Sequence, residues 1–177
     1  MQNSQKILIL GVGNILLTDE GFGVRAVEYL QERHVWPDHV RLLDGGTQGL
    51  MLMRDIQECD LLIVLDVVLG GGTPGTVYLL EGEDLRKSFS FRDSMHQTDL
   101  LDTLITCELA GRRPQAVVIG MEPFDCKSTG VELTPEAGAL LPEFCRKVVS
   151  ELARRGIEPT APKCGTAIRS CAPRRNR

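Results

Sequence analysis

Four side chains in this sequence could carry out chemistry together: Glu20, Asp44, Asp66 and His96. Two carboxylates and an imidazole, Glu20, Asp66 and His96, make an oxygen and nitrogen donor set that suits a borderline divalent ion such as nickel or zinc; copper(I) would want thiolates. Three protein donors leave coordination positions open for a second molecule. Taken singly, each has a structural reading. A strand-end aspartate caps backbone amides, an acid in a first helical turn answers the helix dipole, and a loop histidine satisfies one hydrogen bond. Convergence is what would turn them into a site. His34, near a helix end, and His39, at a strand start, have no acid placed to meet them.

The stretch "GVGNILLTDEGFG", residues 11–23, sharpens the choice of ligand. Gly11 and Gly13 open a phosphate-binding glycine pattern, but Leu16 takes the place of its third glycine. Asp19 and Glu20 then put negative charge where a pyrophosphate would lie. A cation fits that turn better than a nucleotide does. A nucleotide-binding α/β protein stays open as an alternative, because Asp44 falls near the end of the second strand, where a ribose-binding acid would stand. Asp44 equally suits a turn that folds "DGGTQG" around its own amides.

The elements that must position these residues can be read from the apolar pattern. "KILILGV" (6–12), "HVRLLD" (39–44) and "CDLLIVLDVV" (59–68) are near-continuous apolar runs, as expected of strands covered on both faces in a parallel sheet. Helical spacing separates them: Val24, Val27 and Leu30 in a first helix that Thr18 or Asp19 could cap, and a second over roughly residues 47–58. "GGGTPG" (70–75) is a turn leading to "TVYLLEG" (76–82), too close to the preceding strand for a helical crossover and so expected to form an antiparallel edge hairpin. A helix from about Thr98, with Leu101, Leu104, Ile105 and Leu109 on one face, precedes a last strand at 115–122. A final helix opens at Thr134-Pro135 and stops at Gly156, with Pro142 expected to kink or restart it.

The predicted class is α/β: a single domain with a twisted, mostly parallel sheet of about five strands, helices on both faces and one antiparallel edge strand. Right-handed crossovers place the first strand beside the third and the second on its other side, opening a crevice at their carboxyl ends. Glu20 follows the first strand and Asp66 ends the third, so the fold alone brings them to opposite lips of that crevice. The loop carrying His96 opens on the same edge.

The 177 residues carry a formal charge of -4, which excludes a general nucleic-acid surface. No apolar run reaches the roughly 20 residues of a membrane span, and the N-terminal run is too short for a signal peptide, so a cytoplasmic protein is expected. Cys59, Cys107, Cys126 and Cys145 are scattered as reduced core thiols would be. Residues 1–158 read as the domain. Residues 159–177 read as a basic, flexible tail with five Lys or Arg and no acid. Cys164 and Cys171, which enclose six residues within it, match no common zinc spacing.

Over about residues 6–156 the segments "ILGVGNILLTDEGFGVR", "VRLLDGGTQGL", "LLIVLDVV", "PGTV", "MHQ" and "VVIGMEP" closely resemble the nickel-iron hydrogenase maturation endopeptidases, in particular those serving uptake-type hydrogenases. The resemblance implies a twisted α/β sheet and a peptidase that removes a C-terminal extension from the hydrogenase large-subunit precursor once nickel is inserted. It implies nickel contacts at Glu20, Asp66 and His96, maps the "DGGT" aspartate onto Asp44, and makes the precursor both partner and nickel supplier. Two mechanisms stay open: nickel polarises the scissile carbonyl or its water, or nickel is a positional gauge and Asp44 or Asp66 is the general base of an aspartyl-type peptidase. No serine elbow or papain-like cysteine signature is present. The free protein is expected to be a monomer. A nickel-recognising chaperone that escorts the precursor without cutting it is the alternative.

Overall fold

The computed structural model describes residues 5–82, 95–112 and 114–162, without the side chains of 95–101, 161 and 162. The loop expected ahead of the third helix, and the tail beyond Pro162 with Cys164 and Cys171, lie outside the described residues.

Strand β1 (Ile7–Val12) is buried at every position because it lies in the middle of a three-layer sandwich. Ile7 and Ile9 face one core, shared with Phe22, Val27 and Leu30 of helix α1 (Phe22–Arg33). Leu8, Leu10 and Val12 face the other, shared with Leu52 and Ile56 and with Leu104 and Cys107. Strand alternation thus sends a continuous apolar run into two separate cores, each Leu or Ile contributing roughly 1.5–3 kcal/mol by burial.

After α1 come β2 (His34–Val35) and β3 (Val40–Gly46). A 3-10 turn (Gly49–Leu52) leads into the short helix α2 (Met53–Gln57). Then follow β4 (Leu61–Val67), β5 (Val77–Glu81), helix α3 (Met95–Leu109), β6 (Gln115–Met121), helix α4 (Pro135–Arg154) and β7 (Ala161–Pro162). The sheet order is β3-β1-β4-β6-β5. Its first four strands are parallel and β5 runs antiparallel to β6. This is the expected α/β class, with the first and third predicted strands adjacent. Ala161–Pro162 pairs antiparallel with His34–Val35.

Four local expectations need correction. Strand β5 is the antiparallel edge strand, but its partner is β6; β6 fills the place beside β4 that a hairpin would have used. Helix α3 starts earlier, at Met95, and buries Thr103, Leu104 and Cys107. Ile105 and Leu109 are exposed, because the buried stripe is offset along the helix from the one expected. Helix α4 continues through Pro142, whose ring lies on the solvent face, while Phe144, Cys145, Val148 and Leu152 on the buried face dock the helix. Its Thr134 cap does form, with the Oγ1 accepting from the Ala137 amide. Finally, neither Thr18 nor Asp19 caps α1; Gly21 stands at that position, and Thr18–Gly21 is a 3-10 turn.

Candidate active site

The carboxyl ends of β1, β3 and β4 form one edge, and the turn after β1 runs along it. Gly13 adopts φ +136, and a Cβ there would lie 1.8 Å from the Glu20 carbonyl oxygen. Its glycine character lets the chain fold back on itself and bring Glu20 to the edge; it does not make room for a phosphate. The Gly13 amide is taken by the Gly46 carbonyl at 3.0 Å. The nucleotide alternative loses its donor there.

Asp66 ends β4 with only 2% of its surface exposed. Its Oδ1 accepts from the Val67 amide at 2.8 Å. Burial holds the Asp66 carboxyl well above the usual carboxylate range; the Val67 amide pulls the other way, and the nearby Glu20 carboxylate adds to the rise. Glu20 and Asp66, 46 residues apart in the chain, therefore lie within electrostatic reach of each other, at the edge where the crossover argument places both. The Glu20 Oε2 is shielded from solvent. A buried carboxyl within reach of a second carboxylate favours either a proton or a cation.

His96 is the second residue of α3, whose buried face covers the same core face that Asp66 shares with Leu62, Val64 and Val68. Its side chain lies outside the described residues. Among those described, no cluster of three potential metal ligands occurs; of the three predicted donors only Glu20 and Asp66 have described side chains.

Asp44 stands elsewhere. It pairs with Gly11 across β1, whereas Asp66 lies one position beyond Leu65, the residue paired with Gly11 from the other side. That single step of parity puts Asp44 and Asp66 on opposite faces of the sheet. Asp44 is exposed, its Oδ1 accepting from the Gly46 amide at 2.9 Å in the turn expected of "DGG". It also lines a groove of about 250 Å³ with Gly13, Asn14, Ile15, Leu16, Gly46 and Thr47. His34 and His39 lie beyond the end of α1, at the opposite edge of the sheet, consistent with setting them aside.

Three residues at this edge have structural roles that the sequence reading did not assign to them. Asp19 is fully buried, and its carboxylate collects the amides of Phe124, Asp125 and Thr134 and the Thr134 hydroxyl at 2.8–3.1 Å. Thr18, beside it, has φ +42, a strained conformation for a β-branched residue. Its amide and hydroxyl bind the carbonyls of Gly130 and Asp125. Glu122 is the third: its Oε2 gathers the amides of Gly70 and Gly72 and the Tyr78 hydroxyl, fastening the loop that follows β4. Thr18 and Asp19 read in the sequence only as helix-cap candidates, and the partners that fix them and Glu122 are remote in sequence.

Cys59, Cys107 and Cys145 are buried free thiols, as expected; Cys126 is only half-buried. Burial raises the Cys126 thiol above its ordinary range, and the Glu20 carboxylate raises it further.

Comparison with known proteins places the chain in a family. A family model described as hydrogenase maturation protease matches residues 24–151. The hydrogenase expression/formation protein HupD of Rhodobacter capsulatus is 40% identical over 158 residues, covering 88% of this chain and 75% of its own. The hydrogenase 2 maturation protease of Escherichia coli is 38% identical, covering 86% of this chain and 94% of its own. The solved structure of the hydrogenase maturating endopeptidase HybD from E. coli superposes with a TM-score of 0.82 at 38% identity, over 89% of this chain and 98% of that one. The chain belongs to the hydrogenase maturation protease family and is a peptidase.

Proposed function

We propose that this peptidase removes the C-terminal extension of a nickel-iron hydrogenase large-subunit precursor after nickel insertion, and recognises the loaded precursor through the ion itself. The observation that carries this reading is the buried Asp66 carboxyl at the carboxyl end of β4, with Glu20 within electrostatic reach of it. Among the described residues, the groups that act on Asp66 are the Val67 amide and the Glu20 carboxylate, and neither is a cation. A divalent ion arriving with the precursor brings positive charge to these two carboxylates, and His96 completes the donor set. Nickel is then cargo of the substrate and the peptidase its gauge.

The two aspartates divide the work. Asp66 is too deeply buried to activate bulk water, which suits a ligand. Asp44 is exposed on a groove that can seat one or two side chains of a substrate, and serves as general base toward the attacking water. This makes the enzyme an aspartyl-type peptidase. On this reading the encounter takes place in the cytoplasm, and the free peptidase is a monomer.

The test is a mass measurement on full-length protein incubated with nickel-loaded and nickel-free precursor. Shortening of the large subunit in the loaded reaction alone is the expected result. Equal shortening in both would remove the gauge, and shortening in neither would remove the assigned substrate.

A further inference from the structure

The groove beside Asp44 has one polar wall, Asp44 and Thr47 at the end of β3, and one apolar wall, Ile15 and Leu16 in the turn after β1. The apolar wall is unusual for an isolated turn: Ile15 is 40% and Leu16 57% exposed. Their exposure is not the looseness of an unsupported loop. The Leu16 amide binds Asn14 Oδ1 at 3.0 Å, and its carbonyl receives the Gly130 amide at 2.9 Å. The wall is therefore formed before anything binds, which lowers the entropic cost of occupying it. The apolar strip continues past Gly130 to Val131, which is 56% exposed.

Size and position select the occupant. A groove of about 250 Å³ is on the scale of one or two side chains; small-molecule pockets run to roughly 300–1,000 Å³. A stable dimer needs roughly 800 Å² from each partner, far more than this groove offers. The turn bearing Ile15 and Leu16 also bears Glu20, whose amide binds the Leu17 carbonyl at 3.0 Å. A chain that delivers an ion to Glu20 thus arrives at the turn that carries this wall.

Resting on the function proposed above, we infer that this groove seats the precursor segment flanking the scissile bond, with an apolar side chain held against Ile15 and Leu16 opposite Asp44. The groove then sets which residues are accepted beside the cut, while the carboxylate pair verifies the ion.

The test uses full-length peptidase and nickel-loaded precursor. Leu16→Glu should lower kcat/KM by about tenfold or more, chiefly through KM, because the burial of one apolar side chain is lost. Nickel binding by the peptidase alone and its thermal unfolding should not change, since Leu16 is exposed. A panel of precursors carrying glutamate at single positions around the cut should be poor substrates, and Leu16→Lys should recover one position selectively. Recovery at no position, or an unchanged kcat/KM for Leu16→Glu, overturns the groove assignment. Glu20→Gln run in parallel separates the two readings: if it fails to process while Leu16→Glu is normal, the groove alone is wrong. If Glu20→Gln processes normally, the ion-gauge reading falls and this inference falls with it.

Discussion

Asp44 and Asp66 flank the same strand, β1, yet point to opposite faces of the sheet, because their registers against Gly11 differ by one residue. A single residue of register therefore separates the buried Asp66, the proposed nickel ligand, from the exposed Asp44, the proposed base. Asp66→Asn should abolish measurable binding of nickel to the free peptidase, and processing with it. Asp44→Asn should leave nickel binding within about twofold and lower kcat by about 100-fold or more, the usual reach of a lost general base. Calorimetry with nickel and single-turnover cleavage distinguish them; equal loss of nickel binding in both variants would contradict the division.

The buried Asp66 also predicts a pH dependence of stability. Its carboxyl is raised in the folded chain above the unfolded value of about 3.9. The folded state thus holds a proton that the unfolded chain releases, and the associated stability is fully present below that unfolded value. It is lost as pH rises through the folded value. Asp66→Asn removes the ionisation and keeps an oxygen for the Val67 amide. Thermal melting from pH 4 to 8 should therefore show the variant gaining on the wild type as pH rises, with the smallest difference at the acid end. A gap that widens toward acid would reverse the sign and refute the burial account.

Asp19 is the strut behind Glu20. Replacing it by asparagine trades a charged acceptor of four hydrogen bonds for a neutral group whose amide confronts donors. The expected cost is about 3 kcal/mol, within the range for charged hydrogen bonds left unmade. Urea unfolding measures it. Because Asp19 adjoins Glu20, nickel affinity should fall as well, whereas a remote variant of equal stability loss would retain it.

Glu122 and Tyr78 give a separable case, since their 2.7 Å hydrogen bond lies within a loop fixed by two further amides. Tyr78→Phe should cost about 1 kcal/mol and Glu122→Gln about 1–2 kcal/mol, with a coupling energy of about 1 kcal/mol in the double-mutant cycle. Additive losses would show that the two act independently.

The parts of this fold legible in the sequence were those written in local pattern. Continuous runs such as "LLIVLDVV" announced doubly covered strands, and Thr134-Pro135 announced a helix start that forms with the expected cap. The approach of Glu20 to Asp66 was also legible, because crossover handedness fixes which strands adjoin. What stayed hidden depended on remote partners. Asp19 looks like a helix cap until Phe124 and Thr134 are folded against it. Strand β5 looks like the second arm of a hairpin until β6 claims the intervening place. Pro142 reads as a breaker because the sequence does not reveal that its ring faces water while the opposite face is fully packed.

Gly13 supplies the sharpest test of why a phosphate-like turn serves a carboxylate site. Its φ of +136 is strained for any L side chain, and an alanine Cβ would sit 1.8 Å from the Glu20 carbonyl. That contact cannot be relieved by rotating a side chain; the backbone carrying Glu20 must move. Gly13→Ala should therefore weaken nickel binding by about tenfold or more, because metal donors tolerate displacements of only a fraction of an ångström. Gly23→Ala is the informative contrast: its Cβ would lie 2.0 Å from the Leu65 carbonyl, where α1 crosses the sheet, so its damage should appear in the stability of the whole domain. Nickel titration and urea unfolding of the two variants should separate them. Full nickel affinity in Gly13→Ala would mean that the turn does not set the position of Glu20.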